Sequence, residues 1–287
     1  MDQATVIPFS LPVKTEVMFT DFKGESKVSI EKRQKKLLNY LDFLKPFLEQ
    51  GEVLLLVTPA ASPLNFVDYL ISGAAIIYLK RCLLVFTDRR ILHIPTTASL
   101  KYKGSIAQIY YVDCTNIDLQ MAKLIFTYEN GKTEKFVSIP MGYRKKIKSI
   151  LDSKPYESGA GRYLERVHLC PSCGQVLQTD MDRCGSCQME FKNKIDGKKL
   201  SIIIPGGGYF YTRHPFFGIS DAITEGILII AVFFGIISTL GGEEGGLFLL
   251  LFFGILLIIE KLISIYHSNH LISEFIPKDK SFTRKTG

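Results

Sequence analysis

Two apolar runs near the C-terminus constrain this 287-residue chain more than anything else in it. Residues 219–240 and 246–266 are dominated by apolar side chains, and at about 1.5 Å per residue they make helices of about 33 and 31 Å, each matched to a hydrocarbon core of roughly 30 Å. Between them stands Gly241-Gly242-Glu243-Glu244-Gly245, which has room only for a tight, acidic turn. The pattern predicts two transmembrane helices within 216–267. Residues 1–200 read as ordinary soluble protein, and with 47% apolar residues and a mean hydropathy of +0.17 the chain is too apolar for a disordered or coiled-coil protein.

Charge orients the hairpin. Lys192, Lys194, Lys198, Lys199 and Arg213 precede the first run, and Lys278, Lys280, Arg284 and Lys285 follow the second, in a basic tail over 268–287. The positive-inside rule then predicts a multi-pass protein of the plasma (inner) membrane with both termini cytoplasmic. The opening MDQATVIPFSLPVK has neither the basic start nor the apolar core of a secretory signal, so the soluble part is expected to stay in the compartment of synthesis. The formal net charge of +7 belongs to these flanks and discriminates little for nucleic acid. Residues 192–215 are a basic linker ending in Pro205-Gly206-Gly207-Gly208-Tyr209-Phe210-Tyr211, too short to cross a bilayer and aromatic enough to lie at headgroup depth as an interfacial or re-entrant segment. This lead-in and hairpin weakly resemble small two-span membrane domains with a Gly-rich, Tyr-containing entry.

Charges inside the apolar runs need partners. Asp221 and Glu225 lie one turn apart on one helical face, and folding the hairpin about its turn brings Glu225 and Lys261 to nearly equal depth, with Glu260 alongside. A Glu225–Lys261 membrane charge pair is expected, since pairing lowers the cost of inserting either charge. Two readings stand: residues that snorkel or pair at the cytosolic interface, or a proton or ion path lined by Asp221 and Glu225.

Four of the six cysteines form two C-x-x-C knuckles, Cys170-Pro-Ser-Cys173 and Cys184-Gly-Ser-Cys187. Each turn aims two thiolates inward, and two such turns complete a tetrahedron, so the expected cofactor is structural Zn(II), with rubredoxin-like iron or disulfides as alternatives. Residues 168–191 closely resemble a zinc ribbon, both knuckles matching that family position by position. Gly174 and Gly185 are expected to supply the backbone that knuckle turns require, and His168 to be a surface residue. So small a unit cannot build an apolar core, so metal supplies its folding energy. Cys82 and Cys114, in strand patterns, are expected as buried free thiols.

Upstream, residues 1–28 show no period and read as an extension. An amphipathic helix is predicted over 29–50, with Leu37, Leu38, Leu41, Leu44 and Leu48 on one face and Pro46 kinking its end; it packs on the next domain or lies on a membrane. Strands are predicted over 53–58, 75–80, 81–87, 90–95, 106–114, 124–128 and 136–139, with a type I′ hairpin turn at Glu129-Asn130-Gly131-Lys132. A helix with Tyr143, Ile147, Ile150 and Leu151 on one face follows Pro140, and 154–167 is a linker. Strands closed by one amphipathic helix make an α+β roll. The order, and the segment Leu83-Leu84-Val85-Phe86-Thr87-Asp88-Arg89-Arg90-Ile91-Leu92, resemble bacterial pleckstrin-homology-like and GRAM-like domains over 51–153. That resemblance implies a binding or scaffolding module without catalysis. Residues 59–73 contain no basic side chain, which departs from lipid-reading relatives and argues against phosphoinositide recognition.

The fold class expected is therefore multidomain: a PH-like α+β roll, a zinc ribbon and a two-helix hairpin. No nucleophile elbow, Walker loop or dinucleotide fingerprint is present, so no catalytic residue and no enzyme activity are expected. The favoured function is a membrane-anchored adaptor with the bilayer and a protein, or a lipid, as partners. The alternatives are a small channel or transporter, homo-oligomeric through Gly226, Gly235 and Gly254, and a membrane-tethered nucleic-acid binder, which the single strong base of the ribbon, Arg183, argues against.

Overall fold

The computed structural model describes residues 11–153, 163–179 and 181–279. The expected tail residues Lys280, Arg284 and Lys285, and most of the expected linker, lie outside them. The chain forms two compact units, Met1–Gln178 with Cys184–Met189 and Asp279–Gly287, and Thr179–Arg183 with Glu190–Lys278.

The first unit begins with a segment that sequence periodicity left without structure. Leu54 N donates to Pro12 O and Lys14 N to Leu54 O, both at 2.9 Å. Leu11 and Met18, the latter in α1 (Thr15–Met18), are buried. Leu11, Met18 and Phe19 thus belong to the core of the domain, with Val13 and Val17 packed against it. Helix α2 (Val28–Leu38) stops well before Pro46, and a 3-10 turn (Asp42–Phe47) continues the apolar face. Leu37, Leu38, Leu41 and Leu44 are buried in the domain core, and Gln34 exchanges two hydrogen bonds with the Val57 backbone at 2.8 and 3.0 Å.

Strand β1 (Leu54–Ala61) pairs antiparallel with β2 (Arg81–Thr87), but the intervening chain is helical: α3 (Phe66–Ser72), a 3-10 turn and α4 (Ile76–Leu79). The strand expected over 75–80 is therefore a helical insertion. Its entry is a capping box, in which Asn65 accepts from the third backbone amide of α3 and Asp68 accepts from Asn65 N at 2.7 Å.

Next come β3 (Arg90–Pro95), β4 (Ile106–Tyr110), β5 (Cys114–Gln120), β6 (Lys123–Tyr128) and β7 (Thr133–Phe136), the expected strand over 106–114 being broken by a 3-10 turn at Tyr111–Asp113. Strands β1–β4 form one antiparallel sheet and β5–β7 another, and Ala61 bridges to Val137 across them. At the β6–β7 turn only Gly131 takes positive φ (+76°), and Asn130 Oδ1 accepts from Lys132 N at 2.9 Å. That is a three-residue loop with glycine at the left-handed position, in place of the expected type I′ turn. Helix α5 (Met141–Asp152) closes the layers with Tyr143, Ile147, Ile150 and Leu151 buried. Strand β8 (Val167–Leu169) then adds to β4, with β9 (Val176–Leu177) beyond it. The first cysteine knuckle thus grows out of the main sheet.

The second unit is helical. Helices α6 (Lys194–Ile203) and α7 (Gly207–Tyr211) occupy the expected interfacial segment, followed by α8 (Pro215–Leu240) and α9 (Gly246–Ile272). The last two are long and apolar enough to cross a membrane, and only 11% and 6% of their most apolar windows are buried. Gly206 has φ +70°, and a Cβ on it would lie 2.0 Å from Gly218 O, so only glycine admits this crossing of chain and helix. Likewise a Cβ on Gly235 would lie 2.7 Å from Leu250 N, which brings α8 against α9 within one chain. Gly226 and Gly254, grouped with it in the sequence, have nothing within 4 Å.

Candidate metal centre

Strand β8 delivers the chain into the first knuckle. Gly174 N donates to Cys170 O and Cys170 N to Gln175 O, both at 2.8 Å; in the second knuckle Gln188 N donates to Cys184 O at 3.0 Å and Cys184 N to Met189 O at 2.9 Å. The two turns are copies of one another. In each, the residue after the second cysteine is left-handed, Gly174 at φ +73° and Gln188 at +61°. The second knuckle therefore takes its special backbone at Gln188, a correction to the expectation for Gly185, which has no positive φ. A side chain there costs roughly 1–2 kcal/mol.

The Cys170 and Cys187 sulfurs lie 3.5 Å apart, those of Cys173 and Cys184 3.6 Å, and all four within 4.8 Å of one another. A disulfide requires about 2.05 Å, so these are free thiols. Four sulfurs about 2.3 Å from a central ion have edges of about 3.8 Å, close to the spacing found, so the set fits one tetrahedral thiophilic metal. Amide groups converge on the sulfurs: Ser172 and Cys173 on Cys170, Gln175 on Cys173, Met189 on Cys187. Burial pushes the Cys170 and Cys173 thiols up. At Cys187 burial works the same way, but the Met189 amide and the neighbouring thiols outweigh it and bring it down to about 7. With four protein ligands, no position remains for water or substrate. His168 is half-buried within β8 and no part of the set. Cys82 and Cys114 are buried in β2 and β5, as their strand patterns suggest.

The turn after β2 is a clasp. Thr87 Oγ1 accepts from the amides of Arg89 (3.2 Å) and Arg90 (3.0 Å), and Asp88 accepts from Val53 N at 3.0 Å. Arg90 is buried and donates to Glu52 at 2.7 and 3.0 Å, to Phe47 O at 2.7 Å and to Gln108. Arg89 reaches Glu49 and Gln50 O. Together these bonds tie the turn to residues 47–53, the stretch that leads from the 3-10 turn into β1, with Arg90 buried and Asp88 and Arg89 exposed. Sequence reasoning saw the motif and missed Glu49 and Glu52, whose acid charges against paired arginines were the available signal.

A buried Ser62–His93 contact (2.8 Å) has the look of a nucleophile and its base. However, the other ring nitrogen faces Arg166 at 2.7 Å. A guanidinium only donates, so Nδ1 accepts, Nε2 carries the proton, and the ring donates to Ser62 instead of activating it.

In the helical unit Lys261 Nζ donates to Glu225 Oε2 at 2.5 Å and to Ser201 O at 2.8 Å, and Asp221, Glu225 and Glu260 each bring a carboxylate oxygen within 4.8 Å of the others. Glu225 is fully buried. Comparison with protein families, with curated proteins and with solved structures finds no match to this chain.

Proposed function

We propose that the chain is a membrane-anchored, non-enzymatic adaptor: a PH-like roll and a zinc ribbon held at the cytoplasmic face of the plasma (inner) membrane by a two-span hairpin with both termini inside. The PH-like reading is supported by β1–β4, within a sheet that β8 and β9 extend to six strands, and the three-stranded β5–β7 sheet, closed by α5. Zinc is favoured by the all-thiolate set and its spacing. The cytoplasmic topology draws on the acidic turn, the basic flanks and the reducing environment that free cysteines require.

One observation carries the adaptor reading. The helical insertion between β1 and β2 turns apolar side chains outward, with Leu70 73% and Tyr78 57% exposed beside Val67 and Tyr69. Several large apolar side chains exposed on one insertion mark a docking surface, and with no basic residue over 59–73 it suits an apolar protein surface better than a phosphorylated headgroup. A photo-crosslinking residue at Leu70 or Tyr78 in native membranes should yield a discrete protein adduct, absent when the probe sits at Lys123 in β6. Adducts to lipid alone, or none from either position, overturn the reading.

A further inference from the structure

Helix α6 is fastened to α9 at a defined depth. A Cβ on Gly197 would come within 2.5 Å of Ile272 Cδ1 and 3.0 Å of Ser268 Oγ, so α6 lies close against the last turns of α9. Farther along α6, Ser201 is fully buried and its carbonyl accepts from Lys261 Nζ at 2.8 Å. A Cβ on Gly208 of α7 would lie 3.1 Å from Ser268 Cβ and 3.2 Å from Ser264 Oγ. At about 1.5 Å per residue, Ser264 and Ser268 stand about 27 and 33 Å along α9 from its start at Gly246, on either side of the roughly 30 Å at which hydrocarbon gives way to headgroups. Helix α6 therefore occupies that boundary, with its Ile203 end the deeper one.

Its other face is uncovered. Ile195 is exposed, and so are Ile202, Ile203 and Ile204 at the deep end, Ile203 by 74%. They lead to the turn at Gly206, which meets Gly218 of α8 beside the ring of Phe210, and there the exposed Phe216 and Ile219 begin the apolar surface of the first span. Continuity with that surface makes acyl chains the occupant. One turn nearer the aqueous phase, Lys198 and Lys199 are exposed, and their side chains make no hydrogen bond or ion pair among the described residues. The acid of α6, Asp196, does not neutralise them, being held by Asn193 Nδ2 at 2.9 Å and Lys278 at 4.0 Å. Two free ammonium groups at headgroup depth favour a phosphate whose headgroup carries no cation of its own. We infer that α6 is a half-embedded interfacial helix on which Lys198 and Lys199 bind the headgroup of an anionic phospholipid, while Ile202, Ile203 and Ile204 lie among its acyl chains. The inference rests on the membrane-anchored reading above and adds a lipid selectivity to it.

The chain contains no tryptophan, so one introduced by substitution reports alone. Full-length I203W and, separately, L251W, at an exposed position within α9, are reconstituted in phosphatidylcholine nanodiscs in which a fraction of the lipid is phosphatidylcholine or phosphatidylglycerol brominated on its acyl chains. Quenching of tryptophan fluorescence then gives the relative affinity of the two lipids at each position. In I203W both lipids should quench, with phosphatidylglycerol preferred at least about fivefold at low salt and less at high salt. Adding K198Q/K199Q should bring the two lipids to parity, and K198R/K199R, which keeps both charges, should retain the preference. Quenching of L251W without quenching of I203W shows α6 covered by something other than lipid and overturns this inference alone. Equal affinity in I203W, a preference that survives K198Q/K199Q, or one lost in K198R/K199R overturns it as well. An unquenched L251W overturns the anchoring reading and the inference with it.

Discussion

Arg90 shows how one buried charge organises its surroundings. It is 3% exposed and its partner Glu52 1%, so the pair survives only because every donor is used. Truncating Arg90 to Met leaves Glu52 buried and unmatched, and should cost about 3–5 kcal/mol in denaturant unfolding, whereas an R90M/E52L double variant should recover most of it. Asp21 gives a pH signature. The Lys27 hydrogen bond, opposed by partial burial and aided by the Lys23 and Glu25 amides, lowers its carboxyl to about 2. A depressed folded-state value means that the carboxylate stabilises the fold fully above the unfolded value of 3.8 and loses that effect as pH falls toward 2. The stability gap between the parent and D21N should therefore be constant from pH 7 to about 5 and close below that window. At the metal centre, Cys170→Ser or Cys184→Ser should abolish bound metal by elemental analysis, and acid should release it as thiolates take up protons.

Among the elements, glycines that touch backbone are the most exacting. Gly206→Ala should cost roughly 1–2 kcal/mol for its left-handed backbone and about 1–3 kcal/mol more for the collision with Gly218 O. Gly226→Ala, facing open space, should leave the thermal midpoint in detergent unchanged. Strands β2 and β3 are buried on both faces and show no alternation; they were legible as short apolar runs joined by a tight turn. The insertion over 66–79 was not. Ile76, Ile77 and Tyr78 favour extended backbone by propensity, and the competing signal, Asn65 with Asp68 three residues later, is a helix start written in two polar residues. The knuckles were legible by spacing alone. The joining of β8 to β4 was not, because pairing partners distant in sequence leave no local trace.

At the scale of the whole protein, the two outward-facing apolar helices determine where it resides. Material from cells should stay in the membrane pellet after alkaline carbonate, and an impermeant thiol reagent on intact cells should label Glu244→Cys but reach Lys278→Cys only after permeabilisation. The reverse labelling would invert the topology. A metal held by the four cysteines would do more than fold its own knuckle. Strand β8, anchored by Cys170 at its end, covers β4 by pairing Ile106 with Leu169 and Gln108 with Val167. When the ion is withdrawn, that cover loosens and an unpaired strand edge meets solvent, a template onto which a second copy can stack. Stripping the metal with a chelator should thus increase self-association, read by analytical ultracentrifugation in detergent.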